Sequence, residues 1–200
     1  MNREIYATDG EYTLLSIADV DRENYVELHR QINGDSTLYL NPYCKDIMWE
    51  QALKGEDKVF SIFDSNGEYC GSVELQRPAS DTPEIGIDLL VSKRNKGIAP
   101  KVVKMLARRA YEDKTVEYYL IRVSSNNPHS RHVFEKIGAI PIGTEEGTFK
   151  VFMKSLGQVV DETKVDDELQ SKLKKYFGEG DDVEEEIVYR YKLTPDLFLE

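Results

Sequence analysis

The spacing of apolar positions changes several times along the chain, and each change predicts an element. EYTLLSIA (11–18) is rich in β-formers and predicts a first strand. DVDRENYVELHRQI (19–32) sets Tyr25, Leu28 and Ile32 at helical spacing behind an Asp able to cap, and predicts a helix. NPYCKDIMWEQALKG (41–55) predicts a second helix that stops at Gly55. KVFSIFD (58–64) and EYCGSVELQR (68–77), joined by Ser65-Asn66-Gly67, predict a hairpin. Beyond the breaker-rich PASDTP, EIGIDLLV (84–91) alternates Ile85, Ile87 and Leu89 and predicts another strand.

A helix is predicted from about Gly97, with Ile98, Val102, Val103, Leu106, Ala107 and Ala110 on one face. VEYYLIRV (116–123) is apolar at most positions and predicts a central strand. NPHSRHVFEKIG (127–138) carries Asn127 as N-cap, Pro128 at the first helical position and Gly138 as stop. AIPIG (139–143) begins a strand, and EEIVYRYKL (185–193) alternates as the last one. The predicted order is β-αα-βββ-α-β-α-β-β, a mixed α/β (α+β) sheet in a single domain spanning 1–200. An acidic insertion at about 155–183 precedes the last strand and holds one helix candidate, DDELQSKLKKYFG.

Two hundred residues suffice for one compact domain with a full core. The formal net charge of -11 argues against general binding to nucleic acid or anionic membrane, which needs a basic surface. No apolar run has the length of a membrane span. The start, MNREIYATDGEY, has no apolar signal region, so a cytoplasmic location is expected. Cys44 and Cys70 lack ligand-like spacing; they are read as buried thiols, and no metal is expected.

One stretch runs against the acidity. From Leu89 to Tyr111 there are seven Lys or Arg and no Asp or Glu. Lys93, Arg94 and Lys96 stand just before Gly97, where the helix begins. A helix N-terminus exposes unpaired N–H groups and the positive end of its dipole, and glycine admits a ligand close to the backbone. Together they suit an anion, most often phosphate. The pattern is neither the nucleotide triphosphatase loop nor the three-glycine dinucleotide turn.

Arg94-Asn95-Lys96-Gly97-Ile98-Ala99 follows a strand and opens an amphipathic helix. About thirty residues later come Asn127-Pro128-His129-Ser130 and then Lys136-Ile137-Gly138-Ala139. This pair resembles the two signature motifs of the GNAT superfamily of N-acetyltransferases. EIGIDLLVSKRNKGIA is most similar to the branch that includes the ribosomal-protein N-terminal acetyltransferases. The resemblance covers about residues 8 to 145 and the last strand. It implies a GNAT-like fold and acetyl-CoA, as co-substrate, in a V-shaped gap between strands 84–91 and 116–123. The pyrophosphate would rest on the backbone of Arg94, Asn95, Lys96, Gly97, Ile98 and Ala99. The pantetheine arm would pair with Leu89, Leu90 and Val91, and Asn127 and Ser130 would bond it near the sulfur.

Acetyl transfer to an amine needs a base, because a lysine-like amine with a pKa of about 10.4 is mostly protonated at neutral pH. Glu84, which opens Glu-Ile-Gly and matches an acid of that branch, is the first candidate. Glu74, which faces away from Val73 and Leu75, is the second. Asp88 shares a strand face with Glu84 and is placed to hold a cationic substrate. Backbone N–H groups near Leu89 and Leu90 are candidates for the oxyanion. Many family members carry Tyr where this chain has Phe134, so the general acid is open; Tyr118 and Tyr119 are substitutes that also serve packing. His29, His129 and His132 show no partner signature. The expected function is acetyl transfer from acetyl-CoA to a primary amine, on a small molecule or a protein N-terminus. The alternatives are a non-catalytic CoA-binding module and an interaction protein. The acidic insertion is expected to form a flap over the acceptor site, with Asp161, Glu162, Asp166 and Asp167 as contacts, or else a homodimer contact.

Overall fold

The computed structural model describes residues 3–32, 41–147, 151 and 186–199. The elements, in chain order, are β1 (Ile5–Thr8), β2 (Tyr12–Ser16), α1 (Arg22–Ile32), α2 (Pro42–Lys54), β3 (Lys58–Asp64), β4 (Tyr69–Gln76), β5 (Glu84–Leu89), α3 (Ile98–Asp113), β6 (Tyr119–Ser124), α4 (Pro128–Lys136), β7 (Ile140–Glu146) and β8 (Ile187–Leu193). The strands form one open sheet in the order β1-β2-β3-β4-β5-β6-β8-β7. Every neighbouring pair is antiparallel except β5 and β6. The expected order holds with one addition, the edge strand β1. Its hairpin is closed by Asp9-Gly10: the Asp9 carboxylate accepts from the N–H groups of Glu11 (2.9 Å) and Tyr12 (2.7 Å).

The helices begin where the sequence puts caps. Asn41 accepts from Tyr43 N at 2.9 Å to start α2, and Asn127 accepts from Ser130 N at 3.0 Å to start α4. The predicted first helix is shorter by one turn: Asp19–Asp21 is a 3-10 turn, and α1 starts at Arg22. Asp21 is drawn inward, where it accepts from Ser61 Oγ (2.8 Å), Ala18 N (3.2 Å) and the Arg3 guanidinium.

Two layers cover the sheet. α3 packs on one face with the six positions its sequence predicts, Ile98, Val102, Val103, Leu106, Ala107 and Ala110, all buried. They meet Phe60, Ile62, Val73, Leu75 and Ile85 from the strands and Phe134 from α4. Leu106→Ala alone would cost about 2–5 kcal/mol, the lost burial plus the void left behind. The opposite face carries α1 and α2 through Tyr25, Trp49 and Val59. Antiparallel partners point to the same side, so Ser72, Glu74 and Gln76 of β4 share this second face with Asp88, Gly86 and Glu84 of β5. The acidic stretch expected at 155–183 lies outside the described residues, as do its proposed contacts Asp161, Glu162, Asp166 and Asp167.

Candidate active site

β5 and β6 run parallel but touch at one bridge, Glu84↔Leu120, with Leu120 N donating to Pro83 O at 2.8 Å. Beyond it the strands part. On its other edge β5 is fully paired with β4, from Gln76↔Glu84 to Gly71↔Leu89, and Leu90 N donates to Cys70 O at 3.0 Å. N–H groups alternate between the two edges of an antiparallel strand. Ile87 and Leu89 therefore present theirs to the gap. A polar arm entering the gap would find a strand edge ready to pair.

This edge differs from the one expected at Leu89, Leu90 and Val91. The Leu90 N–H is spent on β4. The Val91 N–H donates to Gln31 Oε1 of α1 at 3.0 Å. Leu89 keeps its N–H on the gap, while its carbonyl accepts from Arg94 Nε at 3.1 Å.

α3 and α4 both begin just past the C-terminal ends of β5 and β6, and so flank the mouth of the gap. The turn before α3 contains two left-handed residues, Asn95 (φ 59°) and Gly97 (φ 75°). Such turns point successive N–H groups into a concavity that suits an anion. Among the described residues nothing accepts from the N–H groups of Asn95, Lys96 or Gly97. A Cβ on Gly97 would meet nothing within 4 Å, so this side is open. Ile98 anchors the turn in the core and Ala99 is half-buried. Of the three flanking cations, Lys93 is already engaged: its ammonium donates to Asp64 (2.9 Å) and Glu68 (2.6 Å), which raise its pKa. Arg94 and Lys96 remain exposed. Asn127 uses Oδ1 to cap α4, and Ser130 stands one helical turn on, half-buried.

The three carboxylates on the α1 face differ in their surroundings. Glu84 is 5% exposed, and both its oxygens are taken. Arg122 Nε lies 2.9 Å from each, and Arg77 Nη2 lies 3.0 Å from Oε2. Two guanidinium groups stabilise this carboxylate as the anion and would have to yield it before it could take a proton, which argues against the base role expected of it. Glu74 is half-buried and, among the described residues, makes one hydrogen bond, from Gln76 Nε2. Burial, with the charges of Asp88, Asp57 and Glu84, raises its pKa against the lowering effect of Gln76. Asp88 has no hydrogen bond or ion pair among the described residues; burial raises its pKa and Arg94 partly offsets this. Glu74 lies over Gly86, where the place of a side chain is filled by its own carboxyl arm.

Phe134 is buried in the α3 core at 3% exposure. Tyr119 belongs to the same core, packs against Phe198 and sits at the closed end of the gap rather than at its mouth, and Tyr118 precedes it. His29 packs on the Tyr25 ring and burial pushes its pKa down to about 4. His129 and His132 are exposed on α4. Among the described residues, no group of three His, Cys, Asp or Glu side chains could hold a metal ion. Sequence reasoning missed Ile87, Gly86, Gln76, Arg77 and Arg122. The strand alternation that singles out Glu74 also puts Gln76 and Gly86 on its face; the arginines carry no local signal.

The model of the acetyltransferase (GNAT) domain family matches residues 12–140. No curated protein sequence matches the chain. Among solved structures, spermidine N-acetyltransferase from Vibrio cholerae in complex with CoA and spermine superposes with a TM-score of 0.65 at 15% identity, over 96% of this chain and 100% of that one. A mutant of the Vibrio cholerae spermidine N-acetyltransferase SpeG gives a TM-score of 0.65 at 15% identity, over 96% and 98%. At that identity the likeness shows the fold, a mixed sheet shared by both. The family match covers well over half of the chain, including the Arg94–Ala99 turn and the splayed strand, and the protein belongs to the GNAT acetyltransferase family, whose members take the acetyl group from acetyl-CoA.

Proposed function

We propose that the protein acetylates a primary amine of a small cationic molecule, with Glu74 as general base. The observation that carries this reading is the β5 edge at Ile87 and Leu89, unpaired among the described residues and lying beside two desolvated carboxylates, Glu74 and Asp88, on the α1 face. The chain fits acetyl-CoA in three places. The Ile87–Leu89 edge would hold the arm, Asn95, Lys96 and Gly97 with Arg94 and Lys96 side chains would hold the phosphates, and Asn127 and Ser130 would face the arm at the mouth. Bound there, acetyl-CoA supplies the activated acyl group and a weakly basic thiolate leaving group.

The acceptor arrives as an ammonium, and Asp88, which has no hydrogen bond or ion pair among the described residues, is placed to pair with it. Glu74, its basicity raised by burial, takes the proton. The freed nitrogen forms the C–N bond as the C–S bond breaks, and the second proton it then sheds passes to water. The Leu89 N–H is directed to the gap, where it can meet charge building on the carbonyl oxygen. With phenylalanine at 134, the departing thiolate takes its proton from water. A polyamine is the first acceptor to test, supported by the polyamine-acting structural neighbours and by Asp88, which has no ion-pair partner among the described residues. A protein N-terminus is the second, because Glu84-Ile85-Gly86 resembles the ribosomal-protein branch.

The test is thiol release from acetyl-CoA with spermidine, spermine, a monoamine, an aminoglycoside and a peptide. Glu74→Gln should lower turnover roughly 10²–10⁴-fold while acetyl-CoA binding survives, as for a positioned base. If Glu74→Gln turns over like the wild type, and Glu84→Gln loses turnover with its acetyl-CoA Kd unchanged, the assignment passes to Glu84. If no amine is acetylated although acetyl-CoA binds, the chain is a CoA-binding module.

A further inference from the structure

The gap between β5 and β6 exists because two neighbouring strands forgo their backbone pairing. Elsewhere in the sheet, ladder hydrogen bonds hold strands about 4.8 Å apart. Between β5 and β6 only the Glu84↔Leu120 bridge does so. A chain of side chains crosses the same region on the α1 face. Arg77, just past β4, donates to Glu84 at the start of β5 (3.0 Å). Arg122 of β6 donates to both Glu84 oxygens (2.9 Å) and, through Nη1, to Glu145 of β7 (3.2 Å). Glu145 in turn meets Arg190 of β8 at 3.6 Å. Five charges of alternating sign thus span the strands on both sides of the opening.

The position of Arg122 within this chain is informative. It stands two residues past the bridge residue Leu120, where β6 has begun to part from β5. Its guanidinium reaches back to Glu84, the bridge residue of the opposite strand. The Glu84 side chain is 7% exposed, so its charge cannot be left to water and must be met by these arginines. The brace therefore acts where the ladder stops.

We propose that the Arg122–Glu84 pair is the clamp that sets the opening between β5 and β6, and that Arg122 is thereby a positioning residue for acetyl-CoA. It touches neither substrate; it fixes the spacing of the edge that the arm would pair with. The proposal rests on the placement of acetyl-CoA in the gap. A failed Gly97→Asp effect on acetyl-CoA binding would count against that placement, whereas the outcomes below bear on the clamp.

The test compares Arg122→Met with Arg3→Met. Arg3 forms a partly buried pair with Asp21 (2.9 Å) at the β1–β2 side of the sheet, away from the gap. Both variants should melt earlier than the wild type. At a temperature where all remain folded, Arg122→Met should raise the acetyl-CoA Kd and KM roughly ten- to a hundredfold, with a smaller fall in kcat, as for a slot misplaced by a fraction of its width. Arg3→Met should leave both constants unchanged. Arg122→Lys, which keeps the charge with a single donor group, should fall between. An Arg122→Met protein with wild-type acetyl-CoA affinity overturns the clamp, and so does an equal loss in Arg3→Met. If Arg122→Met does not fold, Arg122→Lys decides: a raised acetyl-CoA KM supports the clamp and an unchanged one overturns it.

Discussion

The Glu74 carboxyl arm occupies the space in which a side chain on Gly86 would lie: a Cβ built there stands 2.7 Å from Oε1 and 3.1 Å from Cγ. Gly86 and Glu74 are paired residues of β5 and β4, so the contact is part of the sheet register. Gly86→Ala should push the carboxyl aside without disturbing the β5 edge. The expected outcome is a turnover loss of at least about tenfold, since a base must stay within hydrogen-bond reach of its proton. The acetyl-CoA Kd should be retained. Steady-state kinetics beside calorimetry measures both, and unaltered turnover would remove Glu74 from the chemistry.

Gln76 holds Glu74, the proposed base, in place. Its amide donates to Glu74, and that bond lowers a pKa which burial and the neighbouring charges of Asp88, Asp57 and Glu84 raise. Glu84 itself is matched by Arg77 and Arg122, which temper its effect. Gln76→Leu removes a donor that favours the ionised form, so the pKa should climb further. The acid limb of the kcat/KM profile should then move to higher pH, with activity at the alkaline plateau nearly kept. A limb that stays in place would mean that another group titrates there.

Much of this arrangement is legible in the amino-acid sequence. The face of α3 follows from six positions, and all six are buried. The caps Asn41 and Asn127 and the breaks around EIGIDLLV are local signals, and the structure honours them. β1 escapes such a reading because four residues at an edge carry too little pattern, although Asp9-Gly10 is a usable turn signal. The site is legible in outline only. Alternation puts Glu84 on the right face for a base, but what that face holds depends on Arg77 and Arg122, 7 and 38 residues away. Lys93 reads as free for phosphate for the same reason, since its partners Asp64 and Glu68 lie 29 and 25 residues back. Charge partners across a sheet leave no trace in local spacing.

The proposed phosphate-binding role of the turn at Gly97 can be tested with two substitutions of nearly equal shape. At Gly97 the backbone is left-handed (φ 75°), and Asp and Asn are the side chains that tolerate this best. Neither would meet a neighbour within 4 Å of its Cβ. Gly97→Asn and Gly97→Asp should therefore cost similar stability. Only Gly97→Asp adds a negative charge, which should weaken acetyl-CoA binding by about tenfold or more relative to Gly97→Asn, even after screening. Raising salt should narrow the difference. Equal affinities would place the phosphates elsewhere.

His29 makes the fold sensitive to acid. Burial beside the Tyr25 ring pushes its pKa down to about 4 in the folded chain, against about 6.5 when unfolded. Below pH 6.5 the unfolded chain takes up a proton that the folded one refuses until about pH 4. The unfolded state then binds more protons, so stability falls as pH drops through this window and is fully present above it. The shift corresponds to about 3 kcal/mol lost by pH 4. His29→Phe keeps a ring against Tyr25 and has no proton to gain. Urea unfolding from pH 7 to pH 4 should show a flatter loss of stability in His29→Phe than in the wild type. Parallel curves would show that carboxylates alone govern the acid transition.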